Sequence, residues 1–331
     1  MPASTMIIDV PTDFVLARDA CSYGYFLLEP NHWVPTAGTF TRVLNLPAGA
    51  TCAIITQPGA KPKARGFAAS RGRPLRVELD RRLGQPDKRA LTAQLTRMLR
   101  LDEDAAHVRG FHRVDPRWKT KGHGRLLRSP TLFEDVIKTV TNCNVTWLGT
   151  MNMNRRLCEV LGAVSPSGRP GFPTPESIAA QRPAFLRGRC GVGYRDARIV
   201  ELARMFIAGD LAGQPPAFFE DPRSTDAQVR EALLELPGIG PYAASNVMQL
   251  LGRYGHIPLD TETVRHGKTV LGMKGSSKAI MKRVDKHFGP FAQHKFRSYW
   301  FELWQFYEVK RGPAHTWEKE IVGKSFTAAQ M

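Results

Sequence analysis

Two glycines spaced two apart between helical patterns constrain this chain more than any other feature, in Leu236-Pro237-Gly238-Ile239-Gly240. Upstream, Ser224, Thr225 and Asp226 are candidate caps, and Val229, Ala232, Leu233 and Leu236 mark the buried face of a short helix. Downstream, Pro241 starts a second helix at a first-turn position where its missing N–H costs nothing. The glycines permit a tight reversal and leave backbone N–H groups uncovered by any side chain. Bare amides beside a helix N-terminus are a ready site for a phosphate oxygen. A helix-hairpin-helix is therefore expected over residues 226–252, with Leu236, Gly238, Ile239, Gly240 and Tyr242 as its gripping segment. The alternative is an ordinary helical turn.

The rest of the chain changes character once. Residues 7–55 alternate short apolar runs, such as YFLL and TCAIIT, with Gly, Pro and Asn, the pattern of strands joined by turns. Residues 57–76 hold Lys61, Lys63, Arg65, Arg71, Arg73 and Arg76 without one acidic residue among Pro and Gly. They read as a basic loop, either a solvated linker or a phosphate-contacting segment. From residue 88 the apolar period is helical, as in Leu91, Leu95, Met98 and Leu99. The expectation is an α+β fold, mainly helical, with an N-terminal antiparallel sheet domain over 1–87 and a helical domain over 88–331.

Length and charge fit that picture. A chain of 331 residues, 42% hydrophobic, can bury a sizeable core, and 47 Lys and Arg against 30 Asp and Glu give +17, enough to draw a polyanion. Charge alone leaves a solubilising surface or a ribosome-associated protein as open as a DNA enzyme. Cys21, Cys52, Cys143, Cys158 and Cys190 are odd in number and lack a CxxC pair, which points to a reducing compartment. No apolar run approaches a membrane span, and Asp9 and Asp13 interrupt the opening segment where a secretory signal would be apolar. The expected protein is a monomer without membrane partners, cytoplasmic and nucleoid-associated in a bacterium or nuclear in a eukaryote.

Eighteen residues beyond Tyr242 stands Asp260, behind Ile257-Pro258-Leu259 and ahead of the helix start Thr261-Glu262-Thr263-Val264. Taken alone, an Asp there caps a helix. The combination of LPGIG, a second helix and a proline-flanked Asp in the loop 257–261 resembles the helix-hairpin-helix DNA glycosylases, the family of endonuclease III, 8-oxoguanine glycosylase and the bacterial 3-methyladenine glycosylases. That resemblance makes Asp260 the catalytic carboxylate and double-stranded DNA with a modified base the partner. It extends to LLRSPTLFEDVIKTVTNCN at 126–144 and GVGYRDARIV at 191–200, strongly over 124–309 and faintly over the N-terminal FVLARDACSYGYFLLEPNHW. By position it implies that Asn142 fills the gap left by a flipped nucleotide, Tyr194 is an aromatic wedge and Arg195 contacts the unpaired base opposite. The family's hairpin also holds a monovalent cation, here through the carbonyls of Leu234, Leu236 and Ile239. The bland alternatives are that Tyr194 is a core aromatic and Asn142 a turn residue.

Two departures shape the expected chemistry. Position 242 bears Tyr where bifunctional members bear the Schiff-base lysine, so the resemblance implies a monofunctional enzyme in which water attacks, unless Lys268 or Lys274 supplies a displaced amine. Trp147 replaces the arginine that reads the opposite cytosine, five residues past Asn142, which leaves the lesion open. The last cysteine precedes the hairpin, so no iron–sulfur cluster is expected. In FGPFAQHKFRSYWFELWQFY, Trp300 and Trp304 stand at helical spacing, either as core or, with Trp147, as walls of a base pocket. A caged, electron-poor alkylated purine is the expected substrate by a narrow margin. An oxidised purine, a deaminated base, a bulky modified pyrimidine of foreign DNA or DNA binding without chemistry remain as alternatives.

Overall fold

The computed structural model describes residues 2–59, 71–319 and 321–322. Lys61, Lys63 and Arg65 of the basic run lie outside the described residues. Five strands form one antiparallel sheet in the order β1-β5-β4-β3-β2: Ser4–Ile8 (β1), His32–Val34 (β2), Thr39–Leu46 (β3), Gly49–Thr56 (β4) and Leu75–Leu79 (β5). The basic loop thus ends before its expected limit at 76. Leu75, Val77 and Leu79 alternate into the core, and Arg76 sits outward in β5 beside Glu78.

The helices follow as Leu16–Ala20 (α1), Gln85–Leu99 (α2), Ala105–Val114 (α3), Leu132–Asn142 (α4), Trp147–Leu161 (α5), Pro175–Ala179 (α6), Pro183–Phe185 (α7) and Asp196–Ala208 (α8). Pro216–Glu220 (α9), Asp226–Leu234 (α10), Pro241–Leu250 (α11), Thr261–Thr269 (α12), Ser277–His287 (α13) and Lys295–Arg311 (α14) complete them. The switch from strand to helix comes at 85, with Pro86 in the first turn of α2. No helix among the described residues is long and apolar enough to cross a membrane.

Packing divides the molecule differently from secondary structure. One core joins the inner face of the sheet (Phe40, Ile55, Val77) to α2, α13 and α14 through Leu95, Val284 and Trp304. The other joins α4, α5, α8, α10 and α11 through Ile137, Leu157, Ile199, Leu233 and Val247. The expected boundary at 87 falls inside α2, with all five strands and α1 before it, and it does not divide one core from another. The chain completes half of the first core, builds the second, then returns.

Buried polar ties fasten the two cores. From β3, Arg42 reaches Glu134 of α4 at 2.8 Å, and Lys138 holds the same carboxylate at 2.7 Å. Both cations lower the Glu134 pKa against the burial that would raise it, so the buried charges are paired. Arg100, in the left-handed conformation that ends α2, donates to the carbonyls of Gln249 and Leu250 at the end of α11.

Candidate active site

The hairpin forms where the glycines allow it. Thr225 closes a capping box on α10 with Gln228, and after Leu234 the chain turns so that the Ile239 N–H donates to the Leu236 carbonyl at 3.0 Å. Gly238 has φ +80°, and a Cβ there would lie 2.9 Å from Cδ of Arg198, so this position is closed to side chains twice over. Gly240 differs: it is extended, exposed, and a Cβ would meet nothing within 4 Å. It is the N-cap of α11 yet has no side chain with which to cap it, so the first amides of α11 are left for an outside partner. Leu236 and Ile239 are buried and anchor the turn from behind.

Asp260 is at once a cap and a cavity wall. It is the N-cap of α12, and its Oδ1 accepts from the Thr263 amide at 2.9 Å and the Thr263 hydroxyl at 3.2 Å. The Thr263 hydroxyl in turn meets the Tyr299 hydroxyl at 3.3 Å, which fixes the rotamer of the acid from α14. Burial pushes the Asp260 carboxyl up to about 6, with neighbouring Glu262 adding to the rise and the Thr263 amide opposing it.

The cavity that Asp260 lines, about 830 Å³, lies between the two cores. From the second core come Asn142, Tyr194, Arg198, the hairpin glycines and Tyr242; from the first come Tyr23, Tyr25, Trp300 and Trp304. The structure thus brings Asp260, Tyr242, Asn142, Tyr194, Trp147, Trp300 and Trp304 to one wall or another of a single hollow. Tyr242 sits beside Asp260, and burial followed by that carboxylate raises its pKa, so the phenol stays protonated. Asn142 donates to its hydroxyl at 3.3 Å. Trp300 donates to the Ser22 carbonyl at 2.8 Å and stacks on Trp304 at 5.2 Å between centroids. Trp147 lies on Gly24, where a Cβ would come within 3.2 Å of its ring. Lys268 and Lys274 are not among the residues lining the cavity, and no described lysine is.

One expected residue is placed otherwise. Arg195 is not poised to contact a base: it is 5% exposed, and its guanidinium donates to the carbonyls of Val140, Val192, Cys143 and Asn144. An arginine whose donors are spent on main-chain carbonyls serves as a clamp on the turn after α4. That clamp presents Asn144, exposed at φ +51°, whose amide meets the hydroxyl of Tyr194 at 3.5 Å. Tyr194 is 53% exposed, as a wedge requires, and Arg198 lies over its ring at 5.5 Å. Asn144, Arg198, Tyr23, Tyr25 and Tyr299 escape sequence reasoning. The signals for the first two are an Asn in a turn and an exposed arginine one helical turn beyond Tyr194.

No protein-family model matches this chain, and no curated protein does. The structure is similar to a 3-methyladenine DNA glycosylase from Archaeoglobus fulgidus, at a TM-score of 0.62 and 19% identity over 92% of this chain and 99% of that one. It is also similar to the 8-oxoguanine glycosylase/lyase of Clostridium acetobutylicum, in its apo form at a TM-score of 0.61 and 16% identity over 91% and 99%. The same enzyme with double-stranded DNA containing cytosine opposite 8-oxoguanine gives 0.61 and 16% over 94% and 99%. This chain shares its α+β fold with these DNA glycosylases along nearly its whole length.

Proposed function

We propose that this protein is a monofunctional DNA glycosylase, which everts a modified base from duplex DNA and hydrolyses its N-glycosidic bond to leave an abasic site. The observation that carries the reading is the position of Asp260: a carboxylate in an aromatic cavity, beside an uncapped hairpin able to take a phosphate. Eversion costs a few kcal/mol, which Tyr194 and the Asn142–Asn144 turn offset by filling the vacated stack. As the base departs, positive charge grows on the sugar, and ionised Asp260 stabilises it at short range in a site of low dielectric. The same carboxylate orients the attacking water or takes its proton. Tyr242, protonated and without an amine, supplies no Schiff base. A monovalent cation on the carbonyls of Leu234, Leu236 and Ile239 fits the hairpin, where the Leu236 oxygen keeps a lone pair beyond its turn bond.

For the base, the walls of Tyr23, Trp300 and Trp304 support an electron-poor alkylated purine. A second reading, a base enlarged by a substituent, is favoured by the cavity itself. It runs along α14 from Phe296 to Tyr307, past the stacked Trp300 and Trp304. The test is a panel of duplexes carrying alkylated, oxidised, deaminated and bulky modified bases, incubated with wild type or Asp260→Asn and then treated with alkali. Alkali-labile cleavage by wild type only is the expected result. The substrate cut fastest identifies the class, and cleavage of none by either protein leaves a DNA-binding module.

A further inference from the structure

We propose that α13 carries a second phosphate-binding surface, which holds the DNA strand on the side of the cavity mouth away from the hairpin; this rests on the DNA reading above. Lys278, Lys282 and Lys286 recur every four residues on the exposed face of α13, rising about 6 Å per step. Lys278 and Lys282, with Leu259, Met281 and Asp285, line a shallow open hollow of about 510 Å³. Leu259 and Met281 also line the main cavity, so they form a ridge shared by the two, next to Asp260 in sequence. The carboxylate in the hollow, Asp285, is engaged by Lys295 at 2.6 Å, so the lysine stripe faces a neutralised floor.

The stripe is fixed relative to the chemistry. Gly267 of α12 lets α13 approach so closely that a Cβ there would lie 2.5 Å from Ile280 and 2.9 Å from Val284. Because α12 is the helix that Asp260 caps, the lysines stand on the helix packed directly against the one that starts at the carboxylate. An everted nucleotide keeps a phosphate on each side. The amides at the uncapped start of α11 take one, and the strand that leaves over the Leu259–Met281 ridge brings the other to Lys278 and Lys282. Amides on one rim and lysines on the other, with apolar walls between, are an arrangement that grips the backbone on both sides of an extruded base.

The experiment compares wild type with Lys278→Gln/Lys282→Gln by anisotropy on an undamaged duplex and on one with a tetrahydrofuran abasic analogue, from 50 to 200 mM salt. The fold loss of affinity across that range is expected to shrink by about threefold per lysine removed, as counterion release requires. Neutral methylphosphonates placed singly around the analogue give the position. On one side they weaken wild type and leave the variant unchanged; on the hairpin side they weaken both equally. An unchanged salt dependence, or a variant sensitive at every position where wild type is, overturns the second surface and leaves the glycosylase reading standing. Wild type without any salt-dependent binding overturns both.

Discussion

The two walls of the cavity are built on opposite plans. The hairpin wall is nearly bare main chain: Gly238, Gly240 and the uncapped start of α11 offer amides and no side chains. The wall from the first core is all side chain, with Tyr23 packed on Trp300 at 4.7 Å, Trp300 on Phe296 at 5.8 Å and on Trp304 at 5.2 Å. Amides recognise what every nucleotide shares, and ring faces recognise what distinguishes one base from another. On the proposed reading the hairpin wall serves affinity for DNA and the aromatic wall serves choice of base, with Asp260 where they meet. Substitutions should then separate the two properties.

The largest effect belongs to the point of contact. Asp260→Asn should lower single-turnover base release by at least about 10²–10³-fold, since the charge opposite the developing cation is gone. Binding should hold or strengthen, because Asn still caps α12 and an anion is removed from beside phosphates. Thermal stability at pH 7 should not fall, since burying the ionised carboxylate is what holds its pKa at about 6. Parallel loss of binding and release in filter-binding and cleavage assays would break the division between walls.

Next comes the aromatic wall. Trp300→Leu should reduce turnover of the substrate by roughly 5- to 150-fold, the worth of one stacked base at about 1–3 kcal/mol. Affinity for undamaged duplex should stay as it was. A variant that lost affinity for every duplex would place Trp300 on the DNA path and not in the base pocket.

The sequence discloses these walls unequally. The hairpin and Asp260 are legible because their signals are local: a Gly-x-Gly turn, Pro241, and an Asp three residues ahead of the Thr that it caps. The start of the helical part at 85 instead of 88 and the strand β5 inside the basic run are errors of boundary, since the period-two signal of Leu75, Val77 and Leu79 spans only five residues. The aromatic wall is illegible for a different reason. Tyr23 and Trp300 meet through tertiary packing across 277 positions, and helical spacing gives the same stripe for core and pocket. Trp304 is both, 2% exposed and still part of the lining. Arg195 shows the limit of positional likeness, which supplies an arginine beside the wedge but not the direction of its side chain. The carbonyls of residues 140 and 143 turn it inward.

A smaller, graded effect follows from the Asp260 carboxyl. Its raised value means that the ionised form, which the chemistry needs, is lost as pH falls through about 6. The rate of the chemical step should therefore drop about tenfold per unit below pH 6 and level off above it. A plateau extending down to pH 4 would indicate that another group sets the rate.

On the hairpin wall the effects are smaller still and blind to the lesion. Gly240→Ala should leave the melting temperature unchanged, because its Cβ meets nothing in the protein, and weaken damaged and undamaged duplexes alike by roughly three- to tenfold, about one phosphate contact. Gly238→Ala should also destabilise the fold, by about 1–3 kcal/mol, through its positive φ and the contact with Arg198. A change in lesion preference from either variant would contradict a backbone grip.

The smallest expected effect is none at all, and it tests Tyr242 at the junction of the two walls. On the proposed monofunctional reading, with a protonated phenol beside Asp260 and no described lysine lining the cavity, the sugar meets water and not an amine. Borohydride added during turnover should then trap no protein–DNA adduct, because there is no imine to reduce, and the product strand should break only on alkali treatment. Lys268 and Lys274 lie outside the lining, so removing either should change nothing in that assay. A strong adduct with wild type that vanished in Lys268→Gln or Lys274→Gln would mean that DNA draws α12 or the turn after it into the cavity. The hairpin wall and the aromatic wall would then have to close on each other when DNA binds.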